Sequence, residues 1–398
     1  MEKYRGMMLV DKEKCCACRV CVQTCPKQAI SVIFDKYGFE RVSINEEKCV
    51  KCGICESVCP IINPKKNEGK RQCGSAYSKD QRIKYSCSSG GLFGVFAKKI
   101  IDENGVVYGA AFDENLHLKT TRAENFEQLK RLYKSKYLLC DTTGVFRQIK
   151  SDLVSGKNVL YCSTPCQLNA LKNYLQKEYE NLLCVEFVCH GVGGQKQFDD
   201  SISYVEQKKK IKIMDFGFRE KFSKASSHYY YYYYYKDLRT GKEKLHRDIY
   251  MTFPYYFAYC DRLTCRESCY SCIYATENRV GDITIGDFHN IGKYEPGIDR
   301  FAGVSMFACN TDKGQKFFES VKDNLFVKEY DWLVIKSNNR FDGIEEPPKK
   351  RDRYLEMIAA GEYIQCVQTF FAYWKDWRFY YYHMPKVLRT LGNKLLRK

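Results

Sequence analysis

A mixed α/β architecture in two unequal parts, followed by a basic helical tail, is what this sequence predicts. Three observations carry it. The first 60 residues write one cysteine rhythm twice. Behind them, short β-branched runs alternate with stretches of helical period. Residues 383–398 hold five Lys or Arg and no acid.

Composition narrows the class. At 398 residues, 44% hydrophobic and 28% charged, the chain has room for two or three domains and an ample core. No run is long and apolar enough to span a bilayer. The opening MEKYRGMMLVDKEKCC lacks the apolar stretch of a signal peptide, so a cytoplasmic location is expected. In a reducing compartment, 22 cysteines point to metal rather than to disulfides. The formal charge of +17 is spread along the chain and favours acidic protein partners or anionic surfaces. No recognised module accompanies it, so nucleic acid is not an expected partner.

The first element is the repeat. Cys15, Cys18, Cys21 and Cys25 precede Pro26, and Cys49, Cys52, Cys55 and Cys59 precede Pro60. Each run is C-x2-C-x2-C-x3-C-P, the spacing of two-cluster ferredoxins, in which the fourth cysteine ligates the other cluster. Three thiolates two residues apart wrap one cubane from a single loop. The spacing therefore assigns Cys15, Cys18, Cys21 and Cys59 to one [4Fe-4S] cluster, and Cys49, Cys52, Cys55 and Cys25 to a second. Cys16 is left over. Paired zinc knuckles are the alternative, although zinc sites usually use separated C-x2-C pairs. Between the runs, ISVIFDKYGFERVSI alternates as a hairpin around Lys36, Tyr37 and Gly38. These features place a ferredoxin-like domain at 1–65. The polar stretch NPKKNEGKRQ (63–72) marks a linker, taken as 66–74.

The next elements belong to a larger domain, 75–340. Strands are expected at 104–112, 157–162, 181–188 and 281–288, and helices near 92–102, 144–155 and 166–178. The alternation predicts a mixed or parallel sheet covered by helices. No G-x-G-x-x-G follows a strand, which argues against a Rossmann dinucleotide domain. HYYYYYYYK (228–236) with the following RTGKE reads as a hairpin arm with alternate rings buried, or as a surface for stacking sugar rings. The helical basic region 341–398 ends in HMPKVLRTLGNKLLRK, where Val387, Leu388, Leu391 and Leu395 share a face. It reads as a solvated tail or as a peripheral membrane contact.

Five stretches then occur in order: SSGGLFGVFAKKI (88–100), YKSKYLLC (133–140), VLYCSTPCQLNALKNYL (159–175), VEFVCHGV (185–192) and RESCYSCIYATENRVGDITIGDF (266–288). Over about residues 10–340 the chain resembles the beta subunit of the coenzyme F-420 (deazaflavin) hydrogenases and dehydrogenases, in a bacterial form fused to an N-terminal 2[4Fe-4S] ferredoxin domain. The resemblance implies FAD and a third [4Fe-4S] cluster in the larger domain. Related reductases act on chlorophyll derivatives, and fused members often accompany polysaccharide-synthesis enzymes.

The resemblance implies flavin contacts at Ser88, Ser89, Gly90 and Gly91, at Lys136 and Tyr137, and at Thr164, Pro165 and Gln167. A Ser-Gly turn at a helix start also suits a phosphate by itself. The family's usual Gln-Ser after Lys-Tyr is Leu138-Leu139 here. For the third cluster, local spacing offers Cys260, Cys265, Cys269 and Cys272, whereas the resemblance matches Cys166, Cys189, Cys269 and Cys272. The second set is the expected one. His190 is a candidate proton donor at the flavin, with a structural role as the alternative, and Asp282 and Asp287 are expected to hold backbone or flavin groups.

Together these parts suggest an oxidoreductase in which a ferredoxin or flavodoxin donor, the clusters and FAD feed an organic substrate, with a saccharide as one candidate. Residues 1–72, with 14 Lys or Arg against 9 Asp or Glu, suit an acidic donor. An electron-transfer subunit with no substrate of its own, and a zinc-stabilised scaffold with no redox role, are the alternatives.

Overall fold

The computed structural model describes residues 10–11, 13–69, 72–221, 230–299, 302–338, 341–344, 346–372 and 379–380. The basic tail, His228 and Tyr229 lie outside the described residues.

The cysteine repeat is also a backbone repeat. Ala17 and Arg19 adopt left-handed φ values of 50° and 59°, and their counterparts 34 positions later, Lys51 and Gly53, adopt 52° and 74°. Non-glycine residues enter this region rarely, so both runs fold back between successive cysteines by the same device. Short helices follow, Val20–Thr24 in the first run and Ile54–Ser57 in the second. Between them β1 (Ile30–Phe34) and β2 (Glu40–Ile44) form the expected antiparallel hairpin, with Ile30 opposite Ile44. Asp35 Oδ1 closes its turn by accepting the Tyr37 and Phe39 N–H groups, both at 2.9 Å.

The larger domain is built on an eight-stranded sheet. Its strands are β3 (Gln72–Ser78), β4 (Val106–Phe112), β5 (Leu118–Ala123), β6 (Val159–Ser163), β7 (Leu182–Phe187), and, after a separate small sheet, β11 (Ile283–Asp287), β12 (Ser305–Cys309) and β13 (Leu325–Glu329). The order is β13-β3-β12-β11-β7-β6-β4-β5. The central run β4-β6-β7-β11 is parallel and the flanking pairs are antiparallel. This is the mixed sheet that the alternation predicts. The four central strands lie within the expected segments to one or two residues, helices Leu92–Asp102 and Val145–Val154 match likewise, and Pro165–Leu175 ends three residues before its expected end.

Near-continuous apolar sequence in β4 (VVYGAAF) is what a strand buried on both faces requires. One face packs Leu92, Phe96, Leu129 and Phe318 of the covering helices. The other packs Phe146, Ile149, Leu168 and Leu171, and this core also takes in Cys18, Val20 and Val58 of the cysteine-repeat domain.

The small sheet contains β8 (Ile211–Phe218), β9 (Tyr230–Asp237) and β10 (Glu243–Ile249), all antiparallel in the order β10-β9-β8. The tyrosine run is β9. Tyr231 and Tyr233 are buried, stacked on Phe216 and His246 respectively, while Tyr234 is exposed. Alternate rings therefore face a core, as a half-buried strand requires.

The polar segment after the repeat is docked along the larger domain. Lys65 N–H donates to Asn169 Oδ1 at 2.9 Å, and Asn169 and Asn173 both donate to the Asn63 carbonyl. Asn67 N–H reaches the Arg279 carbonyl at 2.6 Å. Arg279 in turn is buried against Glu186 of β7, Nε to Oε1 at 2.5 Å, and the same oxygen accepts the Thr284 hydroxyl at 2.8 Å. This pair fastens the 266–281 segment to the sheet. Removing one member of a buried pair strands the other charge. Glu186→Ala is expected to destabilise the protein by about 3–5 kcal/mol, read from the midpoint of denaturant unfolding. An unchanged midpoint would show that the pair does not hold this segment.

Candidate metal centres

The outer site is formed by Cys25, Cys49, Cys52 and Cys55, which line a single pocket with Ile30, Ile44, Val50 and Gly53. Three of these thiols come from the second run and one from the first. This is the crossed arrangement that the spacing predicts. Backbone N–H groups point at the sulfurs: Ala29 N–H to Cys25 at 3.3 Å and Lys51 N–H to Cys49 at 3.5 Å. Cys52 is exposed.

The inner site groups Cys15, Cys18, Cys21 and Cys59. Burial pushes the Cys21 thiol up to about 12, and the neighbouring Cys15 and Cys59 add to the shift. Cys18 is buried against the larger domain, where its carbonyl accepts the Thr142 hydroxyl at 2.8 Å.

A third group of thiols lies where the two domains meet. Cys166, Cys189, Cys269 and Cys272 line a cavity of about 160 Å³ together with Thr164, Pro165, Arg266 and Arg279. Cys166 lies in the first turn of the helix Pro165–Leu175, directly after β6. Cys189 follows the adjacent parallel strand β7, so both thiols stand at the carboxyl end of the sheet. Gly191 allows the chain to turn there: its φ is +96°, and a Cβ would lie 2.9 Å from Cys265 Sγ. The neighbouring backbone then ties the walls together, with Leu139 N–H donating to the Gly193 carbonyl at 2.9 Å and Arg266 N–H to the Val192 carbonyl at 3.1 Å. Burial pushes the Cys189 thiol well above the usual thiol range, with Cys269, Cys166 and Cys272 adding to it. The structure thus gathers the dispersed set of cysteines. Cys265 does not line the cavity, and Cys260 is exposed.

Among the described residues, no three His, Cys, Asp or Glu side chains converge on a position for a single metal ion. The four thiolates of a cubane each bind a different iron and so stand farther apart. The donors also fit a cluster electrostatically. Arg266 Nε and Nη1 and Arg279 Nη2 are buried without a hydrogen-bond partner, on two residues that line the thiol cavity. A thiolate-bound cluster is anionic and would supply the partner they lack.

The residues expected at a flavin fall in three places. Thr164 and Pro165 line the thiol cavity, and the Thr164 hydroxyl lies 3.3 Å from Cys166 Sγ. Gln167 is buried beside it, accepting from Ser163 at 2.7 Å and donating to the Cys140 carbonyl at 2.7 Å. The Ser88–Gly91 turn does start a helix, Leu92–Asp102, and no side chain caps its first amides, which leaves an anion-favouring end. The serine hydroxyls are engaged locally, Ser88 with Ser135 and Ser89 with the Val304 carbonyl. Gly90 is required sterically, since a Cβ would meet the Ala76 carbonyl oxygen at 2.4 Å.

Lys136 is driven down to about 7 by burial and donates to the Arg131 and Tyr133 carbonyls. Tyr137 stacks on Tyr259 at 4.5 Å and accepts from Arg219 at 3.2 Å; Arg219 also pairs with Asp287 at 2.9 Å. Tyr259 donates to the Gly191 carbonyl at 3.1 Å, so this aromatic wall abuts the cavity. His190 is half-buried between Cys189 and Gly191. Asp282 supports backbone, accepting Cys184 N–H at 2.8 Å.

Sequence reasoning did not single out Lys221, whose ammonium reaches the Lys84, Ser89 and Ala302 carbonyls and so holds the Ser88–Gly91 turn. It also passed over Arg266, Arg279 and Cys16. Cys16 was visible only as the unspaced member of Cys15-Cys16, yet its side chain lines the cavity.

Two family models match the chain. Residues 14–61 match that of the 4Fe-4S dicluster domain. Residues 156–331 match that of the C terminus of the coenzyme F420 hydrogenase/dehydrogenase beta subunit. No curated protein matches the chain. Among solved structures, a chain of the F420-reducing [NiFe] hydrogenase complex from Methanosarcina barkeri is similar at 15% identity and a TM-score of 0.41, over 75% of this chain and 91% of that one. The chain is thus an iron–sulfur protein whose residues 14–61 are similar to a 4Fe-4S dicluster domain and whose residues 156–331 are similar to the C terminus of the coenzyme F420 hydrogenase/dehydrogenase beta subunit.

Proposed function

We propose that the chain is an iron–sulfur flavoprotein oxidoreductase, with a third [4Fe-4S] cluster held by Cys166, Cys189, Cys269 and Cys272 and with FAD beside it. The observation that carries this reading is the thiol cavity at the domain junction, in contact with the dicluster domain through Lys14, Cys16 and Ile61. Clusters supply one-electron transfer and a flavin supplies two-electron chemistry.

The chain's own residues set the conditions for both. Arg266 and Arg279 place buried positive charge on the cavity. The uncapped start of Leu92–Asp102 offers amides to a flavin phosphate, and Arg219 links Tyr137 to Asp287 as the wall proposed for the ring. His190, half-buried beside Cys189, is the proton donor to the flavin in this proposal. The substrate class we propose is a sugar-bearing molecule, for which the outward rings of Tyr232 and Tyr234 on β9 offer a stacking surface. The match to a hydrogenase/dehydrogenase subunit favours a second reading, an electron-transfer subunit that hands its electrons to a partner chain.

Electron entry belongs at the outer site. Cys52 is exposed there, and Lys27, Lys48 and Lys51 are exposed around it beside Val50. An acidic ferredoxin or flavodoxin complements this face.

Anaerobic purification is expected to yield about twelve irons per chain and one FAD. Cys269→Ser with Cys272→Ser should remove about four of those irons and leave the dicluster signals intact. About eight irons in the unaltered protein would remove the third cluster, and iron without flavin would leave the subunit reading standing. Reversing charge at Lys27, Lys48 and Lys51 to Glu should slow reduction by an acidic ferredoxin about tenfold at low salt. The gap should close as ionic strength rises, and a salt-independent loss would place donor docking elsewhere.

A further inference from the structure

One end of the small sheet carries charge that neither the clusters nor the flavin uses. Helix Gln195–Lys209 runs out there at Lys208 and Lys209, with Lys210 left-handed after it, at φ 56°. β8 starts and β9 ends at the same place, Ile211 opposite Asp237, and Leu238 N–H donates to the Lys210 carbonyl at 3.1 Å. The turn to β10 adds Arg239 and Lys242. Residues 206–212 hold four Lys against Glu206, and residues 236–244 hold four Lys or Arg against Asp237 and Glu243.

The acids do not cancel the cations. Glu206 pairs with Lys212 at 3.2 Å, and the buried Asp237 is shared by Arg239 and Lys244, at 3.7 and 3.6 Å. Lys208, Lys210, Lys236 and Lys242 stand exposed beside them. Lys212 and Lys236 are also direct cross-strand partners, and like charges set opposite each other work against a sheet. Helix polarity accounts for cations at Lys208 and Lys209, but not for those on the strands and the turn. Among them, in the turn itself, Leu238 is 63% exposed.

We infer that this end of the small sheet is a docking surface for a membrane rich in anionic lipid. Basic surface segments are drawn to anionic leaflets, each cation adding about fivefold in affinity, and an apolar side chain among them enters the headgroup boundary. The type of cation fits a lipid surface as well. Seven of the eight are lysine, a flexible point charge suited to a diffuse field, whereas recognition of a discrete phosphate or carboxylate favours the planar fork of arginine. Anionic headgroups lying across Lys212 and Lys236 would relieve the repulsion between them. The surface stands independently of how many clusters the chain holds.

The test is co-sedimentation of the full-length, anaerobically purified chain with vesicles of phosphatidylcholine alone or mixed in equal parts with phosphatidylserine. Binding is expected to the mixed vesicles only, and should fall as ionic strength rises. Lys208→Gln, Lys210→Gln, Lys236→Gln and Lys242→Gln together should weaken it by at least about a hundredfold. Leu238→Ser should weaken it about tenfold, and iron content should be unchanged in both variants. If the combined variant loses iron, Lys236→Gln alone, expected to bind about fivefold more weakly, decides in its place. Equal binding to both kinds of vesicle, or a variant that binds as the unaltered chain does, would overturn the inference. No binding to the mixed vesicles would overturn it too, and would return this face to an acidic protein partner.

Discussion

Arg266 is 1% exposed and stands where three segments meet. Its Nη2 donates to the Glu40 carbonyl at 2.8 Å and to the Cys15 carbonyl at 3.2 Å, its guanidinium lies 5.7 Å over the Phe39 ring, and its own backbone N–H is tied to Val192. Taking a guanidinium out of water costs several kcal/mol unless something anionic answers it. Among the described residues no carboxylate pairs with Arg266. Hairpin, cysteine loop and the 266–281 segment all converge on a buried cation, and five thiols line the cavity beside it.

The same constraint accounts for how the domains sit. Arg19 pairs with Glu40 at 2.7 Å and also with Asp141, and Arg41 reaches Asp35 and Glu267, each at 2.8 Å. Tyr274 donates to the Pro60 carbonyl at 2.5 Å. Charged pairs at a rim fix orientation more than they add stability, while Cys18, Val20 and Val58 supply apolar burial beneath them. A two-cluster module docked by both kinds of contact keeps its inner thiols against the sheet's carboxyl end rather than swinging on a tether.

Much of this was legible in the sequence because it depends on local rules. Cys25 and Cys59 cross between sites because the x3 step carries each beyond its own loop. Tyr231 and Tyr233 are buried because a strand alternates. Other features depend on distant pairing. The spacing of Cys260, Cys265, Cys269 and Cys272 reads as one local site, and only the Gly193–Cys265 bridge, together with the positive φ of Gly191, separates the lining thiols from the others. Buried arginines cannot be told from surface ones by composition. Gln167 sits in a motif that faces a cavity, yet its own side chain is turned into the helix–sheet seam. The stretch 63–72 has a linker's composition, but the contacts of Asn63, Lys65 and Asn67 make it a seam.

The duplicated cysteine loop has unequal surroundings: Cys18 is sealed, and its counterpart Cys52 meets solvent. Thiol oxidation follows exposure and thiolate character. Air therefore meets the outer site first, at Cys52, before it reaches the sealed Cys18 of the inner one. If electrons enter at the outer site, as proposed, inactivity in air would mark a severed input rather than a ruined catalyst.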